Sequence, residues 1–211
     1  MARIEALDAE RLALALAHLR SVDARLARVI DAHGPCTLAP RGDPYRYLVR
    51  SILYQQLAGK AAATIERRFK AGFGGRVPPP AVLAVQRATK LRKFGLSRQK
   101  AAAVKAVGAA FADGLVSARR IPHLADDAIV SAVTQIRGVG EWTAHMLLMF
   151  ALGRPDVLPV GDYGVRKAAR DLYGLADLPK RSELEALGER WRPYRSVATW
   201  YLWRSTELVT L

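Results

Sequence analysis

Apolar positions recur at helical spacing along nearly the whole chain, and period-two alternation is absent throughout. Leucines at 12, 16 and 19 share one face of a first helix that Asp8 is placed to cap, and Val22 to Ala32 carries the pattern on to a stop at Gly34-Pro35. Asp43-Pro44 sets a capping carboxylate before a proline at the first helical position, so a helix is expected from there through Ile52 and Leu53 to about Leu57. Gly59 to Phe73 follows. Gly74-Gly75 and Pro78-Pro79-Pro80 then interrupt the pattern, and Ala81 to Gln86 and Thr89 to Lys93 read as short helices closing at Gly95. Ser97 caps Arg98 to Ala112. Further helices are expected over Asp126 to Ile136, Glu141 to Leu152, and Asp162 to Tyr173 with Gly174 as its stop. Ser182-x-x-Glu185 reads as a capping box opening a helix to about Trp191, and Tyr194 to Leu208 is the last. The pattern predicts an all-α fold with no significant sheet and no internal repeat.

Two junctions between these helices carry chemistry. In Ile136-Arg137-Gly138-Val139-Gly140 two glycines sit one residue apart, with room between the helices for a hairpin turn only, which makes a helix-hairpin-helix. Glycine there allows positive φ and close approach to a phosphate, and the N–H groups opening the second helix point at the anion. Such a site holds the nucleic-acid backbone without reading sequence. The second junction, Pro159-Val160-Gly161-Asp162, is a Gly/Pro loop whose one acidic residue starts the next helix. On local sequence alone Asp162 is a plain N-cap.

Charge and cysteine content narrow the partners and the chemistry. Lys and Arg outnumber Asp and Glu by 33 to 19 in 211 residues, and the net +14 is spread along the chain instead of sitting in a tail. A folded basic surface suits nucleic acid or an anionic membrane, and a solvated face kept soluble by charge is the plainer alternative. Met1 to Arg11 has no apolar signal core, and the most apolar run, Met146 to Leu152, is too short to span a bilayer, so the expected compartment is the cytoplasm. Cys36 is the sole cysteine, which excludes an intramolecular disulfide, a Cys-only zinc site and a four-cysteine iron–sulfur cluster. Histidines 18, 33, 123 and 145 have no paired ligand spacing, and no Ser/His/Asp or nucleotide-phosphate motif is present.

The two junctions, about twenty residues apart, resemble those of the helix-hairpin-helix/Gly-Pro-Asp superfamily of DNA glycosylases, and the flanking residues look most like 3-methyladenine DNA glycosylase II. Three further segments carry the likeness in the family's order: Ile52-Leu53-Tyr54-Gln55-Gln56, Gly95-Leu96-Ser97-Arg98-Gln99-Lys100-Ala101, and Trp191-Arg192-Pro193-Tyr194-Arg195-Ser196. Together they cover roughly residues 40 to 205. The resemblance implies a two-lobed helical fold with the active-site cleft between lobes. One lobe would take about 1–42 and 160–211, the other about 43–159 with the hairpin at 126–152. With only about forty residues before Pro44, the N-terminal β domain of larger relatives is expected to be missing.

The same resemblance implies a monofunctional, monomeric glycosylase that hydrolyses the N-glycosidic bond of alkylated purines of the 3-methyladenine and 7-methylguanine type in double-stranded DNA. Asp162 becomes the catalytic carboxylate, although Gly161 stands where many relatives carry a second acid. Trp142 stands where bifunctional members place the lysine of a lyase. It becomes instead a wall of the base pocket, with Trp203 opposite and with Met146 and Tyr45 also lining it; Met146 replaces a frequent tyrosine. Gln56 fills the gap left by the flipped base, with Gln55 beside it. Arg137, Gly138, Val139, Gly140, Thr143, Arg166 and Lys167 become DNA contacts. No cofactor is expected, and no metal on side chains, although family hairpins hold a sodium or potassium ion on backbone carbonyls, here 136–141. The competing readings are the same fold acting on another damaged or mismatched base, and a non-catalytic helix-hairpin-helix DNA-binding protein.

Overall fold

The computed structural model describes residues 6–40, 42–57 and 59–206. Among the described residues twelve α-helices run in order as α1 (Ala9–Val22), α2 (Ala24–His33), α3 (Pro44–Tyr54), α4 (Gly59–Ala71), α5 (Pro80–Ala84), α6 (Ala88–Lys93), α7 (Arg98–Ala112), α8 (Asp126–Thr134), α9 (Glu141–Met146), α10 (Tyr163–Tyr173), α11 (Arg181–Gly188) and α12 (Arg195–Ser205). Among the described residues there is no strand. The expected helix end at Leu208 lies outside the described residues, as does Ala58 after the Gln55-Gln56 pair.

Local chemistry sets most of the boundaries. The carboxylates of Asp8 and Asp43 and the hydroxyl of Ser97 accept the N–H of the residue three ahead, as the N-cap reading requires. Three expectations shift. The helix from Pro44 stops at Tyr54 rather than Leu57, because Gln55 leaves the helical region and Gln56 turns to φ 55°. The capping box slides from Ser182/Glu185, so that Glu183 accepts the Lys180 N–H at 2.7 Å and the helix begins at Arg181. The run expected as one helix, Glu141 to Leu152, is α9 followed by a π-turn over Leu147–Ala151.

The described residues divide into two compact units, 42–57 with 59–147, and 6–40 with 148–206. The first centres on α7, whose small side chains Ala101, Ala103 and Ala110 are buried with Val104 and Val107. Gly108 in that helix lets α5 approach so closely that an added Cβ would stand 2.8 Å from the Ala84 nitrogen. Helix α3 packs on α7 through buried Leu48, Val49, Ile52 and Leu53.

The second unit centres on α12, which is buried nearly all round: Ser196, Val197, Ala198, Thr199, Tyr201, Leu202 and Trp203 are all inside. The border expected near residue 160 falls instead at Leu148. Contacts from α12 explain the difference. The Ser196 hydroxyl donates to the Arg154 carbonyl at 2.6 Å and accepts the Val157 N–H at 2.9 Å, and the Arg195 guanidinium binds the Asp156 carboxylate at 2.7 Å, so this stretch packs with the last helix.

Asp23 ties the start of this unit to its end. At 4% exposure it caps α2 on Arg25 and Leu26 and also accepts from the Tyr173 hydroxyl at 2.5 Å and the Trp191 indole N–H at 2.9 Å. Burial pushes its carboxyl up, but hydrogen bonds from Tyr173, the Leu26 N–H and Trp191 outweigh that and hold it below the usual carboxylate range. Its folded pKa is therefore depressed, and the stability it adds is present at neutral pH and lost as pH falls below the ordinary carboxylate range. Asp23→Ala also strands the buried Trp191 indole N–H and the half-buried Tyr173 hydroxyl. Urea unfolding at pH 7 should show about 3 kcal/mol less stability, with the difference from wild type shrinking toward pH 3.

Candidate active site

Asp162 is held from two directions at the head of α10. Its backbone N–H closes a turn on the Pro159 carbonyl at 2.8 Å. Its Oδ1 accepts the Val165 N–H at 2.8 Å, the ordinary cap bond, and also the Trp203 indole N–H at 3.0 Å. The aligned peptides of α10 favour the anion at this end, and two donors on one oxygen leave the carboxylate a single orientation. Trp203 is 7% exposed, and its ring lies against Phe150 in a stacked pair, centroids 6.0 Å apart and planes 17° from parallel. The indole N–H thus has a polar partner that the sequence did not suggest.

Gly164 makes this approach possible. A Cβ at that position would stand 3.1 Å from Asp162 Oδ1, 3.2 Å from Trp203 Cδ1 and 3.4 Å from Trp203 Nε1. The loop before Asp162 is clamped as well, since Asp156 takes both Arg192 at 2.8 Å and Arg195 at 2.7 Å. Trp191-Arg192-Pro193-Tyr194-Arg195-Ser196 thus acts as an anchor: Trp191 holds Asp23, the two arginines hold Asp156, and Ser196 holds the chain on either side of it. Phe150 against Trp203, Asp156 at the loop and Gly164 beside Asp162 are contacts that sequence reasoning missed. The nearest signal was the Trp191–Ser196 segment, which was visible only as a resemblance.

The hairpin belongs to the other unit. Between α8 and α9 the Val139 N–H returns to the Ile136 carbonyl at 3.0 Å, and Gly138 sits at φ 87°. A Cβ on Gly138 would come within 2.5 Å of Ala103 Cβ, so both backbone conformation and space require glycine. Gly140 differs from expectation, with φ −95° and open space around it, so it serves as an ordinary N-cap. Gln55 reaches across from the end of α3, its amide donating to the Gly138 carbonyl at 3.0 Å. Lys100, the lysine of the Gly95–Ala101 segment, donates to the Leu53 carbonyl at 2.8 Å and so satisfies the C-terminal end of α3. These contacts hold Gln56, the only non-glycine residue at positive φ among the described residues, exposed at the tip. Held strain of this kind, of order 1 kcal/mol, persists where the surroundings over-determine the backbone.

The remaining expected residues separate into exposed and buried. Arg137 is exposed, and Trp142 is 49% exposed despite its size. Thr143 is 3% exposed and Val139 is also buried, so each can offer DNA its backbone only. Met146, at 4%, lies in the core rather than on a wall. Tyr45 is likewise a core residue: its hydroxyl donates to the Pro78 carbonyl at 2.7 Å, its ring packs on Phe111, and burial pushes its pKa well up. Arg166 Nε donates to the Pro179 carbonyl at 2.8 Å, and Lys167 pairs with Asp171 one turn ahead at 3.1 Å, so both have partners within their own unit. Cys36 is buried, and burial raises its thiol to about 11, which makes it unreactive at neutral pH. Among the described residues no group of three or more His, Cys, Asp or Glu is placed to hold a metal, and no helix is long and apolar enough to cross a membrane.

The chain is similar to known proteins. The HhH-GPD superfamily of base excision DNA repair proteins matches residues 49–193. DNA-3-methyladenine glycosylase 1 of Schizosaccharomyces pombe is 32% identical over 196 residues, which cover 90% of this chain and 86% of that protein. The solved structure of the Schizosaccharomyces pombe 3-methyladenine DNA glycosylase Mag1 in complex with abasic DNA matches with a TM-score of 0.81 and 31% identity, over 92% of this chain and 97% of that one. DNA-3-methyladenine glycosidase from Bacillus halodurans matches with a TM-score of 0.82 and 34% identity, over 90% and 88%. With two relatives above 30% identity along nearly their full length, and with the hairpin and the Asp162 loop inside the matched span, the chain belongs to the HhH-GPD superfamily of base excision DNA repair proteins, in its 3-methyladenine DNA glycosylase family.

Proposed function

We propose that the protein is a monofunctional DNA glycosylase that hydrolyses the bond between deoxyribose and alkylated purines in double-stranded DNA, leaving an abasic site. The observation that carries this reading is the carboxylate of Asp162, fixed on Oδ1 by the Val165 and Trp203 N–H groups at a helix N-terminus. Cleaving the N-glycosidic bond builds positive charge on the sugar. A preorganised anion lowers that barrier electrostatically and can orient or deprotonate the attacking water. A plain cap needs no second donor from a buried tryptophan 41 residues away. The names of the relatives favour alkylated bases, and the chemistry agrees: an alkylpurine is cationic, and electron-rich rings attract it by about 1–2 kcal/mol over a neutral base. Trp142, large and half exposed, is assigned this role.

Gln56 is assigned the gap left by the flipped base, on the strength of its exposed, strained backbone at a rigid tip. Gly138, Arg137 and the first N–H groups of α9 are assigned the phosphates. The hairpin carbonyls also suit a monovalent cation: those of Ile136, Gly138 and Gly140 each accept one hydrogen bond, from Val139, Gln55 and Ala144, and keep a second lone pair. Such an ion would add positive charge facing the backbone.

Trp142 in place of an amine removes the Schiff base on which strand cleavage depends. Duplexes bearing 3-methyladenine, 7-methylguanine, hypoxanthine or a mismatch should be incubated with the protein and released bases read by mass. Alkylpurines should be released first, the strand should stay intact until alkali is added, and borohydride should trap no covalent adduct. Release of only the neutral bases would shift the substrate class, binding without release would leave a DNA clamp, and a trapped adduct would make the enzyme a lyase.

A further inference from the structure

The positive charge is not evenly distributed. Residues 59–105 hold twelve Lys or Arg and a single acid, Glu66, whereas the rest of the chain holds 21 basic and 18 acidic residues. Eleven of the 14 net positive charges therefore come from less than a quarter of the sequence.

Packing directs this charge outward. Helix α4 buries Ala62 and Phe69 and sets Lys60 and Arg67 on the opposite face, at seven-residue spacing. Phe69, Phe73 and Phe94 form one aromatic cluster, with centroids 5.2, 6.1 and 5.7 Å apart, and fasten α6 to the end of α4. Lys90 lies over the Phe73 ring at 4.7 Å. Arg92 and Lys93 on α6 thus stand at the end of the unit where α4 carries Arg67 and Arg68, and all four are exposed. The one acid is already engaged: Glu66 takes Lys70 at 2.7 Å, the Tyr54 hydroxyl at 2.7 Å and Arg50 at 3.5 Å. Exposed cations mounted on short, core-anchored helices, with no acid near them in sequence left to answer them, make a rigid polycationic face.

We propose that the face formed by α4 and α6 is a second DNA-backbone grip, outside the helix-hairpin-helix, which holds duplex DNA irrespective of sequence or damage. This inference rests on the glycosylase reading, because it takes duplex DNA as the occupant. Phosphate is the complementary surface for such a face, and each phosphate neutralised steepens the fall of log affinity with log salt by about 0.9.

The test compares two charge-matched pairs on an undamaged 25-base-pair duplex across a salt series. Arg92→Gln/Lys93→Gln removes two charges from the face, and Arg119→Gln/Arg120→Gln removes two exposed charges from the same unit beyond it. The first pair should make the salt slope shallower by about 1.8 and the second should leave it near wild type. Equal changes in both pairs would mean that only net charge matters, and an unchanged slope in the first would make the face merely solvated; either overturns the grip. Wild-type protein that binds no DNA, or binds it and excises nothing, would overturn the glycosylase reading instead, so the two failures are distinguishable.

Discussion

Asp162→Asn should leave the protein folded and DNA-bound while slowing base release by on the order of 10²- to 10⁴-fold in single-turnover excision. Asparagine caps a helix about as well as aspartate, so the Val165 N–H keeps an acceptor and stability should stay within about 1 kcal/mol. The Trp203 N–H can also keep its partner. The one property lost is the negative charge facing the sugar. DNA affinity should hold or rise, since repulsion from phosphate falls. The loss should be smaller for a cationic alkylpurine, already a good leaving group, than for neutral hypoxanthine, which needs more help from the enzyme. Wild-type rates on both substrates would reduce Asp162 to a cap.

The parts of this site that were legible in the sequence are those whose physics is local. Asp162 and Gly138 could be read because an N-cap and a positive-φ turn are each specified within a few residues. Asp8, Asp43 and Ser97 were readable for the same reason. The capping box before α11 slipped because Lys180-Arg181-Ser182-Glu183-Leu184-Glu185 offers two acids two residues apart, and local pattern does not choose between them. The π-turn at Leu147–Ala151 was hidden inside an apolar run that has no polar face to reveal its phase. Tyr45 and Met146 were placed by resemblance, and tertiary packing decided otherwise, drawing both into the core. Least legible were the long-range partners. Trp203 meets Asp162 across 41 positions and Arg195 meets Asp156 across 39, distances at which no periodicity or cap rule operates.

The Trp203–Asp162 contact is where Gly164 becomes decisive. Gly164→Ala should do little to the fold: alanine favours a helix by up to about 1 kcal/mol over glycine, which offsets the crowding. Its Cβ, however, would press on Asp162 Oδ1 at 3.1 Å and Trp203 Cδ1 at 3.2 Å, and Trp203 is buried against Phe150 with little room to retreat. The carboxylate must then move by a few tenths of an ångström. Displacements of about 1 Å at a reacting centre cost about 10²-fold, so a loss of about 10-fold in kcat is expected, with KM nearly unchanged. Trp203→Phe reaches the same contact from the other side, keeping a ring against Phe150 and deleting the N–H. A hydrogen bond to a charged group is worth about 1.5–3 kcal/mol, which also sets a loss of at least about 10-fold. Because both substitutions break one interaction, the double variant should lose little more than the worse of the two. Additive losses would mean that Gly164 and Trp203 act separately, and a normal kcat in Trp203→Phe would mean that the indole N–H does not orient the carboxylate at all.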